Sequence, residues 1–100
     1  MAETRPLTNL QTRDIEAVLH PYTALHKLKT TGTLVIERGE GVYVYDTHGK
    51  AYIEGMSGLW CAGLGFGDAE LIDAATKQLK ELPYYHIFGA KGIEPAIELA

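Results

Sequence analysis

The first hydrophobic residues of the chain are arranged as one face of a short helix. Thr8 is followed three positions later by Gln11, the pattern of a capping box, and apolar residues then recur at helical spacing. A residue that precedes proline avoids helical dihedrals, so Pro21 predicts that this helix ends at or before His20. Residues 1–7 lack such a pattern and are expected to form a loose arm.

β-Branched and aromatic residues then predict three short antiparallel strands. The strands are expected at 34–38, 42–45 and 51–54. Two glycines in the segment 39–41 supply the positive φ angles that a tight hairpin needs. The preceding segment 22–29 is expected to form one further short turn. A meander of this size is marginal alone, so it requires another element to pack against.

A glycine-rich segment at 55–67 separates the strands from the following helices. Five of its 13 residues are glycine, and it has neither helical nor strand periodicity, which predicts a structured loop. Gly63, Gly65 and Gly67 alternate as GxGxG, without the GxGxxG spacing or the Lys-Ser/Thr pair of phosphate-binding loops. The N-terminus of the next helix could hold an anion here, but a tight structural loop is the favoured role.

The last third of the chain returns to helical spacing. Asp68 predicts an N-cap, and the helix behind it carries an apolar stripe until Pro83 ends it. The stripe consists of Leu71, Ala75, Leu79 and Leu82. An aromatic connector at 84–88 leads to a last helix that begins near Glu94, with a proline in its first turn. The sequence stops inside that helix, which predicts that the chain is part of a longer protein.

Composition and charge exclude several classes of function. The 100 residues are 46% hydrophobic and 22% charged, as in ordinary globular proteins, and carry a net charge of −4. Such a charge offers no basic surface for nucleic acid. No apolar run approaches the roughly 20 residues of a membrane helix, and the N-terminus lacks the apolar core of a secretory signal. The sequence therefore predicts a cytoplasmic protein with neither nucleic acid nor membrane as a partner.

The titratable residues predict neither a metal centre nor a catalytic nucleophile. The four histidines show no metal-ligand spacing, and one cysteine excludes an internal disulfide and a multi-cysteine zinc site. Cys61 lies beside a tryptophan with no histidine near it in sequence, which favours a buried, inert thiol. None of the six lysines has local surroundings that would lower its pKa for covalent catalysis.

Several aromatic residues lie in predicted loops and connectors, where polar residues are usual. They are Tyr22, Trp60, Tyr84, Tyr85 and Phe88. Aromatic side chains on loops fill a core, line a ligand pocket or become buried at a subunit interface. Residue physics alone leaves these three roles open.

Six short motifs follow one another from the predicted hairpin to the last residue. They are GVYVYD at 41–46, GKAYIEG at 49–55, SGLWC at 57–61, LGFG at 64–67, LPYYHIF at 82–88 and PAIELA at 95–100. In this order they resemble the N-terminal part of the class III aminotransferases, the ω-transaminases of the pyridoxal-phosphate fold-type I group. SGLW and YYHxF together resemble the amine–pyruvate branch. Gly63 departs from the pattern, because many family members carry a polar residue there.

The resemblance implies a fold and a cofactor. This portion is expected to be an α+β segment, with an N-terminal helix, a three-stranded antiparallel meander and then helices. The parent fold is α/β, the fold type I of enzymes that use pyridoxal 5'-phosphate. Residues 1–67 would belong to the small domain, and 68–100 would begin the large cofactor-binding domain.

The resemblance also implies substrate-binding residues. Trp60 matches a tryptophan that forms a wall of both substrate pockets, and Leu59 matches its neighbour at the large pocket. Tyr22 matches an aromatic residue that closes the small pocket, and Phe88 matches one that reaches in from the partner subunit. A homodimer or tetramer with a shared active site is therefore expected. The family's catalytic lysine and its cofactor ligands lie beyond position 100, so no catalytic or cofactor-binding residue is assigned.

The activity implied is amino transfer from an amine or ω-amino acid to a keto acid such as pyruvate. Two alternatives remain. One is a free-standing, non-catalytic interaction module of the same ancestry, which would bind through Tyr84, Tyr85 and Phe88. The other is a different fold-type I enzyme, such as a decarboxylase or racemase.

Overall fold

A computed structural model describes residues 5–100. The first four residues of the predicted arm lie outside the described residues, and residues 5–7 carry no regular element. The described residues divide into two compact units, one that ends at Phe66 and one that spans residues 67–100. Each unit is described below by itself.

Helix α1, Asn9–Ala17, begins with the predicted capping box. The Gln11 N–H donates to Thr8 Oγ1 at 3.2 Å, and the Thr8 N–H donates to Gln11 Oε1 at 3.0 Å. Gln11 Nε2 also donates to the carbonyl oxygen of Thr33 at 2.8 Å, which ties the helix start to the segment before the sheet. The helix ends earlier than His20, because Val18 already has extended dihedrals.

A second helix, α2, spans Leu25–Thr31, where the sequence predicted only a short turn. The turn itself lies just before it, with Tyr22 at a φ of 50° and the Thr23 hydroxyl donating to the Pro21 carbonyl at 2.7 Å. Gly32 ends the helix at a φ of 69°, a conformation that favours glycine. A glycine directly after the last helical residue is the signal in the sequence for this helix end.

The predicted three-stranded antiparallel sheet is confirmed. Strands β1, Ile36–Glu40, β2, Tyr43–Asp46, and β3, Ala51–Ile53, lie in the order β1-β2-β3. β1 begins later than predicted and continues through Gly39, which pairs with Val44. The expected turn at 39–41 was therefore wrong in position. Strand pairing continues to Glu40 and Tyr43, and the chain reverses at Gly41, whose φ is 58°.

The buried part of the described chain is one face of this sheet. Among residues 5–100, Val44 is the buried hydrophobic residue and Asp46 the buried charged one. Both lie on β2, two positions apart, so their side chains point to the same face. The apolar burial within the described residues is therefore very small.

The second unit contains α3, Ala69–Glu81, and α4, Glu94–Leu99. The predicted cap is confirmed, since the Leu71 N–H donates to Asp68 Oδ1 at 2.9 Å, and α3 ends before Pro83 as predicted. The predicted apolar stripe is present, but its leucines are exposed. No helix within residues 5–100 has the length and apolarity to cross a bilayer.

Candidate functional site

The glycine-rich segment contains a single helical turn of unusual hand. Ser57, Gly58, Leu59 and Trp60 have φ angles of 50°, 61°, 64° and 68°. The Trp60 N–H donates to the Met56 carbonyl at 2.7 Å. We name this Ser57–Trp60 element the left-handed turn. Left-handed dihedrals cost roughly 1–2 kcal/mol for each non-glycine residue, so the surrounding structure must hold the turn.

Phe66 joins this turn to the sheet. Its backbone pairs with Gly41: the Gly41 N–H donates to the Phe66 carbonyl at 2.9 Å, and the Phe66 N–H donates to the Gly41 carbonyl at 2.8 Å. A Cβ atom added to Gly39 would lie 2.7 Å from Phe66 Cβ and Cγ, so the ring packs directly on that glycine. A Cβ atom added to Gly58 would lie 3.6 Å from Phe66 Cε1, an ordinary van der Waals distance. Phe66 therefore packs on β1, and its ring edge faces the left-handed turn.

The left-handed turn presents two of the predicted substrate-binding residues side by side. Leu59 is 69% exposed and Trp60 is 87% exposed. Tyr22 is also exposed, in the separate turn between α1 and α2. Phe88 is 80% exposed and belongs to the second unit. None of the four is buried among the described residues.

The connector after α3 is a stacked aromatic segment. The His86 ring stacks on Tyr85 with centroids 4.6 Å apart and on Phe88 with centroids 5.7 Å apart. His86 Nδ1 is buried and has no hydrogen-bond partner within the described chain. The sequence predicted the aromatic character of this connector, but it contained no signal for the stacking.

Cys61 contradicts its prediction, because it is exposed rather than buried. It directly follows the left-handed turn, and its Sγ donates to the Leu59 carbonyl at 3.3 Å. The expectation of burial relied on the neighbouring tryptophan, which is itself exposed. Adjacent residues on an outward-facing turn share its exposure.

No lysine of the described chain has the surroundings of a covalent cofactor site. Lys27, Lys29, Lys50, Lys77, Lys80 and Lys91 are all exposed. Over residues 5–100 there is also no group of three His, Cys, Asp or Glu side chains that could hold a metal ion.

Asp46 organises the hairpin between β2 and β3, a role that sequence reasoning missed. Its Oδ1 accepts from the N–H groups of His48 and Lys50, each at 2.9 Å, and its Oδ2 accepts from the Tyr52 hydroxyl at 2.9 Å. The Lys50 N–H contributes most to lowering the pKa of the Asp46 carboxyl, followed by the Tyr52 hydroxyl and the His48 N–H. The carboxylate in turn raises the pKa of Tyr52. The signal for this role in the sequence is an aspartate placed shortly before the glycine of the turn between β2 and β3.

Comparison with known proteins places the chain in a family. The sequence model of the family described as aminotransferase class-III matches residues 24–100. A putrescine–pyruvate aminotransferase of Pseudomonas aeruginosa is 39% identical over 94% of this chain and 22% of its own length. A mitochondrial gamma aminobutyrate transaminase of Solanum lycopersicum is 45% identical over 83% of this chain and 16% of its own length. The chain thus spans about a fifth of such relatives.

Solved structures give the same result for the fold. The omega transaminase of Pseudomonas jessenii, in complex with PMP, superimposes with a TM-score of 0.88 at 53% identity, covering 93% of this chain and 20% of that one. A thermostable omega transaminase variant with a substituted tryptophan, phenylalanine and arginine was engineered for asymmetric synthesis of enantiopure bulky amines. It superimposes with a TM-score of 0.87 at 49% identity, covering 91% of this chain and 20% of that one. The shared α+β segment and the family match together show that this chain belongs to the class III aminotransferases.

Proposed function

We propose that this chain is the N-terminal portion of a pyridoxal-phosphate-dependent ω-aminotransferase, and that it contributes part of the amine-binding pocket. The reaction is transfer of an amino group from an amine or ω-amino acid to a keto acid such as pyruvate. The observation that carries the proposal is the left-handed turn, which holds Leu59 and Trp60 outward and adjacent in a chain of this family. Residues 1–67 then belong to the small domain and 68–100 begin the large one.

The names of the relatives support an amine without a carboxylate at the reacting carbon. One relative is named for putrescine and pyruvate, one for gamma-aminobutyrate, and a third, from Capsicum chinense, is a vanillin aminotransferase. Apolar, aromatic walls suit the carbon skeletons of such amines. Leu59 and Trp60 would supply that wall here, and Tyr22 would close the smaller side of the pocket.

The engineered variant described above supports a substrate-binding role for each of Trp60 and Phe88. The tryptophan and the phenylalanine replaced in that variant have the same separation along their chain as Trp60 and Phe88. Phe88 would reach the pocket of a partner subunit, which requires a homodimer or tetramer with a shared active site. A cytoplasmic location is part of the same proposal.

The cofactor would be held by residues other than those described here. Bound pyridoxal phosphate supplies the electron sink for amino transfer. Since every lysine of this portion is exposed, we assign none of them to the cofactor and derive no step through it. The part assigned to this chain is binding and orientation of the amine by Trp60, Leu59, Tyr22 and Phe88.

The first experiment replaces Trp60 in the complete protein. Alanine formation from pyruvate is measured with a small aliphatic amine and with a bulky aromatic amine. Trp60→Ala is expected to change the ratio of the two kcat/KM values on the order of tenfold, because a pocket wall discriminates amines by size. Trp60→Phe should retain most of the ratio, and Leu64→Ala, which truncates another exposed residue of the same loop, should leave it unchanged. An unchanged ratio in Trp60→Ala would sink the assignment of this residue.

A second experiment separates the proposal from its two alternatives. Borohydride treatment followed by intact mass measurement is expected to show one pyridoxyl-phosphate adduct on the complete protein. The amino-acceptor assay should show that alanine forms from pyruvate. An adduct without alanine formation favours another fold-type I enzyme, such as a decarboxylase or racemase. No adduct at all favours a non-catalytic interaction module that uses Tyr84, Tyr85 and Phe88, which are exposed.

A further inference from the structure

Most residues of the left-handed turn are of types that disfavour left-handed dihedrals. All four residues have positive φ angles, but only Gly58 adopts such an angle without steric cost. For Ser57, Leu59 and Trp60 the positive φ angle is sterically unfavourable. Its internal hydrogen bonds include the Cys61 N–H donating to the Ser57 carbonyl at 2.9 Å. Bonds of that kind form equally well in a right-handed turn. Something outside the turn must therefore select its hand.

Phe66 is the residue in position to make that selection. Its backbone is fixed by two hydrogen bonds to Gly41, at 2.9 and 2.8 Å, so the ring has a defined origin at the end of β1. One side of the ring lies on Gly39, where no side chain would fit, since an added Cβ would come within 2.7 Å. The ring edge, Cε1 and Cζ, faces Gly58, where an added Cβ would lie at the ordinary contact distances of 3.6 and 3.7 Å. Gly39 thus makes room for the ring on the sheet, and the free edge of the ring borders the turn at Gly58.

We propose that Phe66 is a positioning residue: its ring, packed on Gly39 with its edge toward Gly58, holds the left-handed turn and thereby sets the direction of Trp60. This inference rests on the proposed function, because the effect on catalysis requires that Trp60 contacts the amine. Phe66 itself touches neither substrate nor cofactor in this account. It determines amine selectivity through the orientation of the indole.

The test combines a spectroscopic signal with kinetics in the complete protein. 5-Fluorotryptophan is incorporated, and the Trp60 fluorine resonance is assigned by its loss in Trp60→Phe. Phe66→Leu removes the ring edge at Gly58 and is expected to shift or broaden that resonance. It should also change the bulky-to-small ratio of kcat/KM by about tenfold, below the roughly hundredfold that misplacement by about 1 Å can cause. Phe66→Tyr, which retains the ring, should restore both signals.

Two further variants keep the test decisive. Gly39→Ala displaces the ring without removing it and should move the resonance even if Phe66→Leu is poorly folded. Leu64→Ala is the matched control in the same loop and should leave the resonance and the ratio unchanged. In the double variant, Phe66→Leu should add no further change in ratio to that of Trp60→Ala, because both act through the same indole.

The outcomes separate this inference from the proposed function. If Trp60→Ala changes the ratio but Phe66→Leu and Gly39→Ala leave both the ratio and the resonance unchanged, the positioning role is overturned and the pocket assignment stands. If Trp60→Ala leaves the ratio unchanged, the pocket assignment and the selectivity role of Phe66 are both overturned. A lowered rate with an unchanged ratio and resonance would show that Phe66 is merely structural.

Discussion

The contact between Gly39 and Phe66 makes a sharp prediction about a single methyl group. Gly39 lies inside β1, opposite Val44, and its φ is not in the left-handed region, so alanine suits its backbone. The cost of Gly39→Ala is therefore steric. An added Cβ would lie 2.7 Å from both Cβ and Cγ of Phe66, closer than real Cβ contacts. Because Phe66 Cβ is attached directly to backbone, rotating the ring cannot relieve the clash.

The expected magnitude follows from this geometry. Overpacking of a well-filled site costs roughly 1–3 kcal/mol. If the strain is released by opening the Gly41–Phe66 bridge, the amides of Gly41 and Phe66 should exchange roughly 5- to 150-fold faster, which is the factor equivalent to that energy. Hydrogen exchange in the complete protein, followed by mass spectrometry of the peptides around these two residues, measures the effect.

Gly55→Ala provides the matched control. Gly55 has no positive φ, and an added Cβ there has no atom within 4 Å, so its exchange should stay within the small range of ordinary surface substitutions. Equal exchange at Gly41 and Phe66 in both variants would refute the reasoning. It would show that the added methyl group does not strain the bridge between Gly41 and Phe66.

Three further predictions concern other parts of the chain. Thr8→Ala should destabilise α1 by about 1 kcal/mol, seen as faster amide exchange of its first turn, whereas Thr8→Ser should retain the cap. The lowered pKa of folded Asp46 means that its stabilisation of the hairpin is present above the usual value of 3.8 and is lost as the pH falls through the lower folded value. Amide exchange at Lys50 should therefore accelerate in acid relative to the intrinsic rate, over a window that moves toward higher pH in Tyr52→Phe. The 100-residue chain alone should show no sharp cooperative thermal unfolding, because among residues 5–100 the buried hydrophobic core consists of Val44. A sharp thermal unfolding transition of a monomer would contradict this.

Local signals in the sequence predicted local structure well. The capping box at Thr8 and the cap at Asp68 lie where they were predicted, because each depends on residues within one helical turn. The sheet order was predicted for a similar reason, since short loops leave neighbouring strands antiparallel. The sequence also predicted the apolar stripe of α3, but it did not predict which residues pack against that stripe.

The wrong predictions concern features that depend on residues far apart in the sequence. β1 continues through Gly39, where the sequence predicted a turn, and that glycine accommodates a ring from Phe66 far along the chain. The sequence predicts a structured loop where the left-handed turn lies, because one turn has no periodicity and its hand opposes the preference of three of its residues. The predicted burial of Cys61 was wrong for the same reason, because Cys61 directly follows this turn and is exposed. Candidate site residues came from motif resemblance, and their grouping into one pocket stays a prediction.

The hand of the left-handed turn has a consequence for the order in which this part of the protein folds. A segment whose own residues disfavour its native dihedrals cannot act as an early nucleus, and its structure must await contacts made elsewhere. We expect the hairpin of β1 and β2 to form first, and Phe66 to dock on Gly39 afterwards. Trp60 would then become ordered among the last residues of its unit. The same residues would be the first to open in the native state, so the wall of the proposed pocket would lie in a region of low local stability.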